Sequence, residues 1–355
     1  MKRCTKCILP VTYPKITFNE EGVCNHCINH KKLNYLGDEA CREEIEKFHK
    51  IKKDRNQDYD CIIGYSGGKD SAYLLYYLTK VINLRVLAYS IEADFIPEQA
   101  LKNRDVGTDI LNVKLVIEKN EYLKRCFKHT MSTWMKRPTV EMVESFCTGC
   151  RLTPIMVFRY AKKKKIPVVV MGGEPFEHPE YKFLLFSKKN YIKNVIRNPR
   201  WVLNYTYFST QFKEYFYFFY EKKLVKRYGL LKVRPFFDYT RWVEKDVIST
   251  IKKELNWKKN PLLESFWRAD CNIAQLKLYI YKKVLGFNDK VDNLSILTRD
   301  NQISREVALE RLEVEEFVPE EIIKSLFDEV DLDYSKFEEA LIKAQERYYK
   351  KNRKL

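Results

Sequence analysis

Residues 64–71 read Gly-Tyr-Ser-Gly-Gly-Lys-Asp-Ser and stand between an apolar run and a helical pattern. A strand, a glycine-rich loop and a helix in this order form a site for phosphate groups. Gly67 and Gly68 let the backbone adopt conformations closed to other residues and approach a ligand closely. The hydroxyls of Ser66 and Ser71, with the first amides of the helix, would face the oxygens of a pyrophosphate. The sequence therefore predicts nucleotide chemistry at this loop.

The two charged residues of the loop extend this prediction. Lys69 supplies a positive charge, and Asp70 is placed to orient the loop or to bind Mg²⁺. The spacing differs from that of a Walker loop and from that of the dinucleotide fingerprint. It resembles the pyrophosphate loop, Ser-Gly-Gly-x-Asp-Ser, of the ATP pyrophosphatases. This resemblance implies that ATP is cleaved to AMP and pyrophosphate while a carbonyl oxygen of the acceptor is adenylated.

The same resemblance predicts the residues of the site. ATP would bind to Ser66, Gly67, Gly68, Lys69, Asp70 and Ser71. The catalytic candidates are Asp70, Lys69 and Glu174, and Mg²⁺ would be held partly by Asp70 or Glu174. Glu174 follows an apolar run at 168–171, so we expect it at the end of a strand.

Strands and helices alternate through the first half of the chain. We predict strands at 59–64, 84–91, 114–117 and 168–171, and helices at 71–80, 99–111, 121–135 and 153–164. This alternation is typical of an α/β fold with a doubly wound parallel sheet, as in a HUP-like pyrophosphate-loop domain. Ligands of such sheets bind at the carboxyl ends of the strands, where the loop, Glu92, Asp94 and Glu174 are expected.

The first 30 residues contain two Cys-x-x-Cys pairs. Cys4, Cys7, Cys24 and Cys27 can place four thiolates around one Zn²⁺ ion. So short a segment has little core of its own, so the metal would supply its folding energy. His26 and His30 are alternative ligands, but four thiolates already complete a closed structural site. We therefore predict a zinc ribbon.

The chain divides into four predicted regions. These are the zinc ribbon at 1–37, a charged linker helix at 38–56, the pyrophosphate-loop domain at 57–285 and a helical region at 286–355. The loop domain contains an aromatic and basic insertion at about 175–230. Its stretch 205–228 indicates a helix packed in a core or dimer interface, with a membrane-surface helix or an RNA-stacking surface as alternatives. We also expect a strand-like segment at 233–237, a helix at 242–255 and a helix capped by Ser304.

Composition indicates the cellular compartment and the class of chemistry. The chain has ten cysteines and no apolar run long enough to span a membrane, so we expect a cytoplasmic protein with metal or redox chemistry. A net charge of +17 would attract nucleic acid, but abundant lysine also follows from an AT-rich genome.

A second group of cysteines lies in the middle of the chain. Cys147-Thr-Gly-Cys150, Arg234-Pro235 and Cys271 resemble the arrangement of the tRNA thiolases, which implies a four-iron four-sulfur cluster held by Cys147, Cys150 and Cys271. The alternatives are ordinary buried cysteines or a redox pair. The thiolases have Gly-His-Asn-x-x-Asp where this chain has Gly172-Gly-Glu174-Pro-Phe-Glu, which departs from their pattern.

A second family resemblance covers both ends of the chain and the loop. The segments 4–10, 16–27, 59–71 and 297–309 look like those of the N-acetyl sugar amidotransferases. The resemblance implies replacement of the acetamido oxygen of an N-acetyl sugar by ammonia, during lipopolysaccharide, other surface-polysaccharide or nonulosonic-acid synthesis. It also implies a separate glutaminase as the ammonia source, often with a cyclase-like partner.

Three functions are therefore weighed from the sequence. The first is ATP-dependent amidotransfer to an N-acetyl sugar, with ATP, Mg²⁺ and structural zinc. The second is cluster-dependent sulfur transfer to tRNA or another acceptor. The third is a non-catalytic RNA-binding module, which the intact loop at 66–71 disfavours.

Overall fold

The structure, a computed structural model, describes residues 2–52, 54–148, 153–172, 181–182, 221–233 and 236–352. Its centre is a five-stranded sheet in the order β3-β2-β1-β4-β5, and all neighbouring strands are parallel. The strands are β1 (Cys61–Gly64), β2 (Val86–Glu92), β3 (Leu115–Lys119), β4 (Val168–Val170) and β5 (Leu231–Lys232). The central strands are buried almost throughout, as expected when helices cover both faces of a sheet. The predicted doubly wound α/β fold is confirmed.

Helices connect the strands and continue beyond the sheet. The earlier ones are α1 (Asn25–Ile28), α2 (Asp38–Ile51), α3 (Lys69–Tyr76), α4 (Glu98–Leu111), α5 (Glu121–Lys136), α6 (Thr153–Lys163) and α7 (Glu221–Tyr228). The later ones are α8 (Glu244–Leu255), α9 (Asn272–Leu285), α10 (Asp289–Arg299), α11 (Arg305–Glu315), α12 (Glu320–Glu329) and α13 (Tyr334–Asn352). A π-helical turn, Tyr77–Val81, extends α3, and 3₁₀ segments lie at Val140–Thr148 and Phe236–Asp238. The region from residue 286 onward is helical, as predicted.

Some element boundaries differ from the prediction. The strand expected at 233–237 lies earlier, at Leu231–Lys232, where it pairs with β4. Phe236 and Phe237 instead pack their rings against Tyr77 and Tyr73, so this apolar run serves packing on the helical layer. The linker helix ends at Ile51, before the predicted residue 56. Ser304 caps α11 as expected, because its hydroxyl accepts a hydrogen bond from the amide of Val307 at 3.2 Å.

The later helices share a core with the sheet domain. α9 packs against α12 and α13, and α8 packs against α3 and α4. The packing of α8 brings the segments at its two ends close to the loop. The division of the chain into four regions stays a prediction, and most of the aromatic insertion at 175–230 lies outside the described residues. None of the described helices is long and apolar enough to cross a membrane.

Candidate active site and metal centre

The glycine-rich loop lies at the carboxyl end of β1 and turns directly into α3. Gly67 has a φ of +78°, a left-handed conformation that favours glycine. A Cβ atom at this position would lie 2.0 Å from the carbonyl oxygen of Ala100, so α4 leaves no room for a side chain. The hydroxyl oxygens of Ser66 and Ser71 are 3.1 Å apart. The loop therefore brings two hydroxyl groups and the first amides of α3 to one place, as a phosphate site requires.

Hydrogen bonds that involve α4 and the segment after α8 hold the loop in place. The indole N–H of Trp257 donates to the carbonyl oxygen of Gly67 at 2.9 Å. The hydroxyl of Tyr65 donates to the carbonyl oxygen of Asn103 at 3.3 Å, and the Asn103 amide donates to the carbonyl oxygen of Lys258 at 2.8 Å. The loop, α4 and the segment after α8 are thus joined by hydrogen bonds.

The side chains of Lys69 and Asp70 make their contacts with other residues of the protein. The ammonium of Lys69 lies 4.3 Å from the ring centre of Trp267 and 5.0 Å from that of Trp242, and only 3% of the residue is exposed. It also pairs with one oxygen of Asp70 at 2.6 Å, while the other oxygen accepts from the indole N–H of Trp242 at 2.9 Å. Both side chains therefore anchor the start of α3 in this arrangement. Their catalytic roles stay predictions.

A cavity of about 700 Å³ opens beside the loop. It is lined by the loop residues after β1 and by Met171 and Gly172 after β4. The chain runs from β1 outward to β3 on one side of the sheet and returns to β4 on the other. The cavity therefore lies at the topological switch point, where open α/β sheets bind their ligands, and its volume suits a nucleotide. Glu174, predicted for this position, lies outside the described residues.

A buried group of charges forms another part of the cavity wall. Lys277 on α9 pairs with Glu144 at 2.7 Å, and Lys182 pairs with both Glu144, at 3.4 Å, and Asp289. Burial opposes charge on Glu144, but Lys277 and Lys182 outweigh it and hold the pKa of this carboxyl well below its usual range. Burial likewise opposes charge on Lys277, but the neighbouring Cys147 and the carboxylate of Glu144 raise its pKa above the usual value. The cavity therefore offers hydrogen-bond donors and acceptors on fixed charges.

Two of the three cysteines of the central group line this cavity. Cys147 and Cys271 are both half-buried, and the ammonium of Lys277 lies 3.3 Å from the sulfur of Cys147. Cys150, Arg234 and Pro235 lie outside the described residues. Cys41, Cys61 and Cys126 are buried in the core.

The other acidic residues at strand ends do not reach the cavity. Glu92 pairs with Arg104 at 3.1 Å and with Lys119 at 3.4 Å, and Asp94 pairs with Lys124 at 2.9 Å. These carboxylates hold α4 and α5 against the sheet.

The four N-terminal cysteines converge as predicted. Their ligand atoms lie within 4.8 Å of one another, and all four residues are buried. The Cys4–Cys27 and Cys7–Cys24 sulfur atoms are 3.9 and 3.7 Å apart. A tetrahedral zinc site with Zn–S bonds of about 2.3 Å requires sulfur separations of about 3.8 Å, whereas a disulfide requires about 2.0 Å. The donor set therefore fits a closed, structural Zn²⁺ site.

Two arginines from the C-terminal helices contact this ribbon. Arg305 donates to the carbonyl oxygens of Cys4 and Cys7, each at 3.1 Å, and Arg299 lies 3.7 Å from the sulfur of Cys7. Hydrogen bonds from the neighbouring thiols of Cys24 and Cys27, and the charge of Arg299, lower the pKa of Cys7. Four thiolates on Zn²⁺ leave a charge of −2, which the two guanidinium groups offset.

Tyr13 joins the ribbon to the cavity wall. Its hydroxyl donates to Asp292 on α10 at 2.9 Å and accepts from the backbone amide of Tyr181 at 3.1 Å. The hydroxyl of Tyr181 in turn donates to Asp289, the partner of Lys182. The ribbon thus supports one side of the candidate active site.

Sequence reasoning missed several residues of the cavity. Glu144, Lys182, Lys277 and Asp289 carry no motif, and Asp270 is marked in the sequence only by its position next to Cys271. The hydroxyl of Ser66 donates to the carboxylate of Asp270 at 2.8 Å, across 204 positions of the chain. Its place beside a candidate cysteine was the one signal that could have pointed to it.

Comparisons with known proteins give distant similarities. The chain is 25% identical, over 328 residues, to an uncharacterized protein of Methanocaldococcus jannaschii, and the match covers 91% of this chain and 97% of that protein. No family model matches the chain.

Among solved structures, a nicotinamide mononucleotide (NMN) synthetase from Francisella tularensis aligns with a TM-score of 0.36 and 12% identity, over 80% of this chain and 99% of that one. The U34-tRNA thiolase NcsA from Methanococcus maripaludis, solved with its [4Fe-4S] cluster, aligns with a TM-score of 0.33 and 13% identity, over 88% and 89%. An NH₃-dependent NAD synthetase from Campylobacter jejuni aligns with a TM-score of 0.28 and 13% identity, over 62% and 94%. Alignments at this level describe a loosely similar arrangement of elements and assign no activity.

Proposed function

We propose that this protein is an ATP-dependent, AMP-forming amidotransferase. It would adenylate the acetamido group of an N-acetyl sugar and replace its oxygen with ammonia from a partner glutaminase, in surface-polysaccharide or nonulosonic-acid synthesis. A cyclase-like subunit would accompany the glutaminase. The observation that supports this proposal is one cavity that combines a rigid phosphate loop with a wall of fixed charges.

The loop accounts for the ATP half of the reaction. The phosphates would bind to the hydroxyls of Ser66 and Ser71 and to the amides at the start of α3. Mg²⁺, when bound, neutralises charge on the phosphate oxygens. The acetamido oxygen attacks the α-phosphorus, pyrophosphate leaves, and an O-adenylated imidate forms. Ammonia then adds to the imidate carbon, AMP leaves with the former acetamido oxygen, and loss of a proton gives the amidine.

The charged wall accounts for the acceptor half. Glu144 and Asp289 accept hydrogen bonds, while Lys182 and Lys277 donate them, so the positive and negative charges balance. Such a surface suits a neutral, hydroxyl-rich acceptor better than an apolar one. Most of the catalysis would come from the positioning of the two substrates and from charge stabilisation at the phosphates.

A second candidate function is iron–sulfur-dependent sulfur transfer after the same adenylation, with tRNA among its acceptors. The specific observation in its favour is that Cys147 and Cys271 line the ATP cavity. Thiolates are the usual ligands of iron–sulfur clusters, so these residues, with Cys150, would hold one. The cluster would then supply or activate the sulfur.

Isotope transfer tests the amidotransferase directly. The protein is incubated with ATP, ammonia and nucleotide-linked or lipid-linked N-acetyl sugars labelled with ¹⁸O in the acetamido group. We expect ¹⁸O in AMP and none in pyrophosphate, and a product that is an amidine. Formation of ADP would refute the proposal outright, because it requires attack at the γ-phosphorus.

Metal content separates the two candidates. Protein purified without oxygen is analysed for iron and zinc, together with Cys147→Ala, Cys271→Ala and, as a control, Cys41→Ala. Zinc without iron, in all four proteins, supports amidotransfer. About four irons per chain, lost in the Cys147 and Cys271 variants but kept in the Cys41 variant, would favour sulfur transfer.

A further inference from the structure

The carboxylate of Asp270 rests on the phosphate loop itself. One of its oxygens accepts the hydroxyl hydrogen bond of Ser66 at 2.8 Å. A Cβ atom added at Gly68 would lie 2.4 Å from that same oxygen, so the carboxylate touches the bare backbone of the loop. A negatively charged group therefore sits where the loop would contact phosphate oxygens.

Asp270 differs from the other acids of the cavity in its lack of a cation. Among the described residues, four carboxylates line the cavity, and three of them pair with lysines: Asp70 with Lys69, Glu144 with Lys277, and Asp289 with Lys182. Asp270 has no such pair within the described part of the chain, and Ser66 is its hydrogen-bond partner there. Among the described residues of the cavity wall, it is thus the carboxylate without a lysine partner.

The position of Asp270 is built into the backbone. Arg268, two residues earlier, has a φ of +56°, which is rare for a side chain of this size. Its carbonyl oxygen accepts from the side chain of Gln275 at 2.7 Å, and the amide of Asn272 donates to the carbonyl oxygen of Phe95 at 3.0 Å. The segment is therefore held on both sides of Asp270, and the strained residue indicates a placement that the fold maintains.

We propose that Asp270 binds the divalent cation that accompanies ATP at this loop. A triphosphate and an unpaired carboxylate at hydrogen-bond range repel each other, and a cation between them turns this repulsion into attraction. Mg²⁺ in nucleotide sites is commonly held by one or two carboxylates together with the phosphates. Asp70, the residue predicted from the sequence, has both oxygens occupied by Lys69 and Trp242. The inference rests on the proposed binding of ATP.

Nucleotide binding with and without the metal tests this role. The affinity of an ATP analogue with a methylene group between the α- and β-phosphorus is measured calorimetrically, in Mg²⁺ and in a chelator. For the wild type we expect Mg²⁺ to strengthen binding by at least about tenfold. For Asp270→Asn we expect little effect of Mg²⁺, and tighter binding than the wild type in the chelator because the repulsion is gone.

Three variants make the result specific. Asp109→Asn, an exposed change on α4, should behave as the wild type. Ser66→Ala removes the hydrogen bond but keeps the Asp270 charge, so its response to Mg²⁺ should persist even if its affinity falls. If Asp270→Asn is unstable, Asp270→Ala takes its place, and melting temperatures verify that each variant is folded. Electron paramagnetic resonance of Mn²⁺ should show less nucleotide-dependent metal binding in the Asp270 variants only.

A failure of the proposed function can be distinguished from a failure of the proposed role of Asp270. If the wild type binds the analogue under neither condition, the proposed function fails. If the wild type binds it and a folded Asp270 variant keeps the full response to Mg²⁺, or binds no better in the chelator, the role of Asp270 is overturned while the nucleotide site stands.

Discussion

Replacement of Asp292 by asparagine should stabilise the protein in a pH-dependent way. Asp292 lies on α10, is 3% exposed, and accepts a hydrogen bond from the hydroxyl of Tyr13. Burial raises the pKa of its carboxyl from 3.8 to about 7. The folded protein therefore holds the proton more tightly than the unfolded chain between these two values. Its stability should fall as pH rises through this window and stay level above pH 7.

The magnitude follows from the two pKa values. A difference of about 3 units corresponds to a cost of about 4 kcal/mol once the group is fully ionised. Between about pH 5.5 and pH 7 the unfolded chain is ionised at Asp292 while the folded chain keeps its proton, and this interval of about 1.5 units accounts for about 2 kcal/mol of that cost. The neutral amide of Asp292→Asn does not carry this cost of ionisation. The stability advantage of the variant should therefore grow by about 2 kcal/mol from pH 5.5 to pH 8.

Denaturant unfolding followed by tryptophan fluorescence measures this difference. Both proteins are compared at several values from pH 5.5 to pH 8, so that all other titrating groups cancel. Asp328→Asn, an exposed change on α12, should show the same dependence of unfolding free energy on pH as the wild type. An advantage of Asp292→Asn that is constant, or that shrinks as pH rises, would show that this carboxyl does not titrate in the window and would refute the reasoning.

Three further predictions follow from the loop and the ribbon. Gly67→Ala should abolish nucleotide binding measured by calorimetry, whereas Gly37→Ala, also at positive φ but with no atom within 4 Å of its Cβ, should retain it. Lys69→Met should lower the free energy of unfolding by about 1–3 kcal/mol because it removes the cation that pairs with the half-buried carboxylate of Asp70; lost ATP affinity at unchanged stability would instead support a phosphate contact. Cys7→Ser should lose zinc, measured by metal analysis, and melt at a lower temperature, whereas Cys41→Ser should keep its zinc.

The parts of the site that could be predicted from the sequence are those formed by residues that lie close together in the chain. The loop, the strands on either side of it and the two Cys-x-x-Cys pairs each lie within a few residues, so spacing alone indicates their geometry. Glu144 and Lys277 lie 133 positions apart, and no local pattern connects them. Their side chains meet only because α9 packs against the 3₁₀ segment Val140–Thr148.

Lys69 shows a second limit of prediction from sequence, which is the direction in which a side chain points. A lysine in a phosphate loop suggests contact with phosphate, but the direction of its side chain depends on Trp242 and Trp267, which arrive from far along the chain. An aromatic cage and a neighbouring carboxylate draw the ammonium inward. The residue type was therefore informative about the loop, and uninformative about where its charge would lie.

The contact between the ribbon and the C-terminal helices has a consequence for how the protein is made. Arg305 reaches the backbone of Cys4 across 301 positions, so this docking surface does not exist until Arg305 has been synthesised. At about 5–20 residues per second, the wait lasts on the order of 15–60 s. During that time the four thiols of the ribbon lie in a growing chain without the helices that later contact them. Early capture of zinc would protect them from oxidation, so metal supply during synthesis should govern the yield of correctly assembled protein.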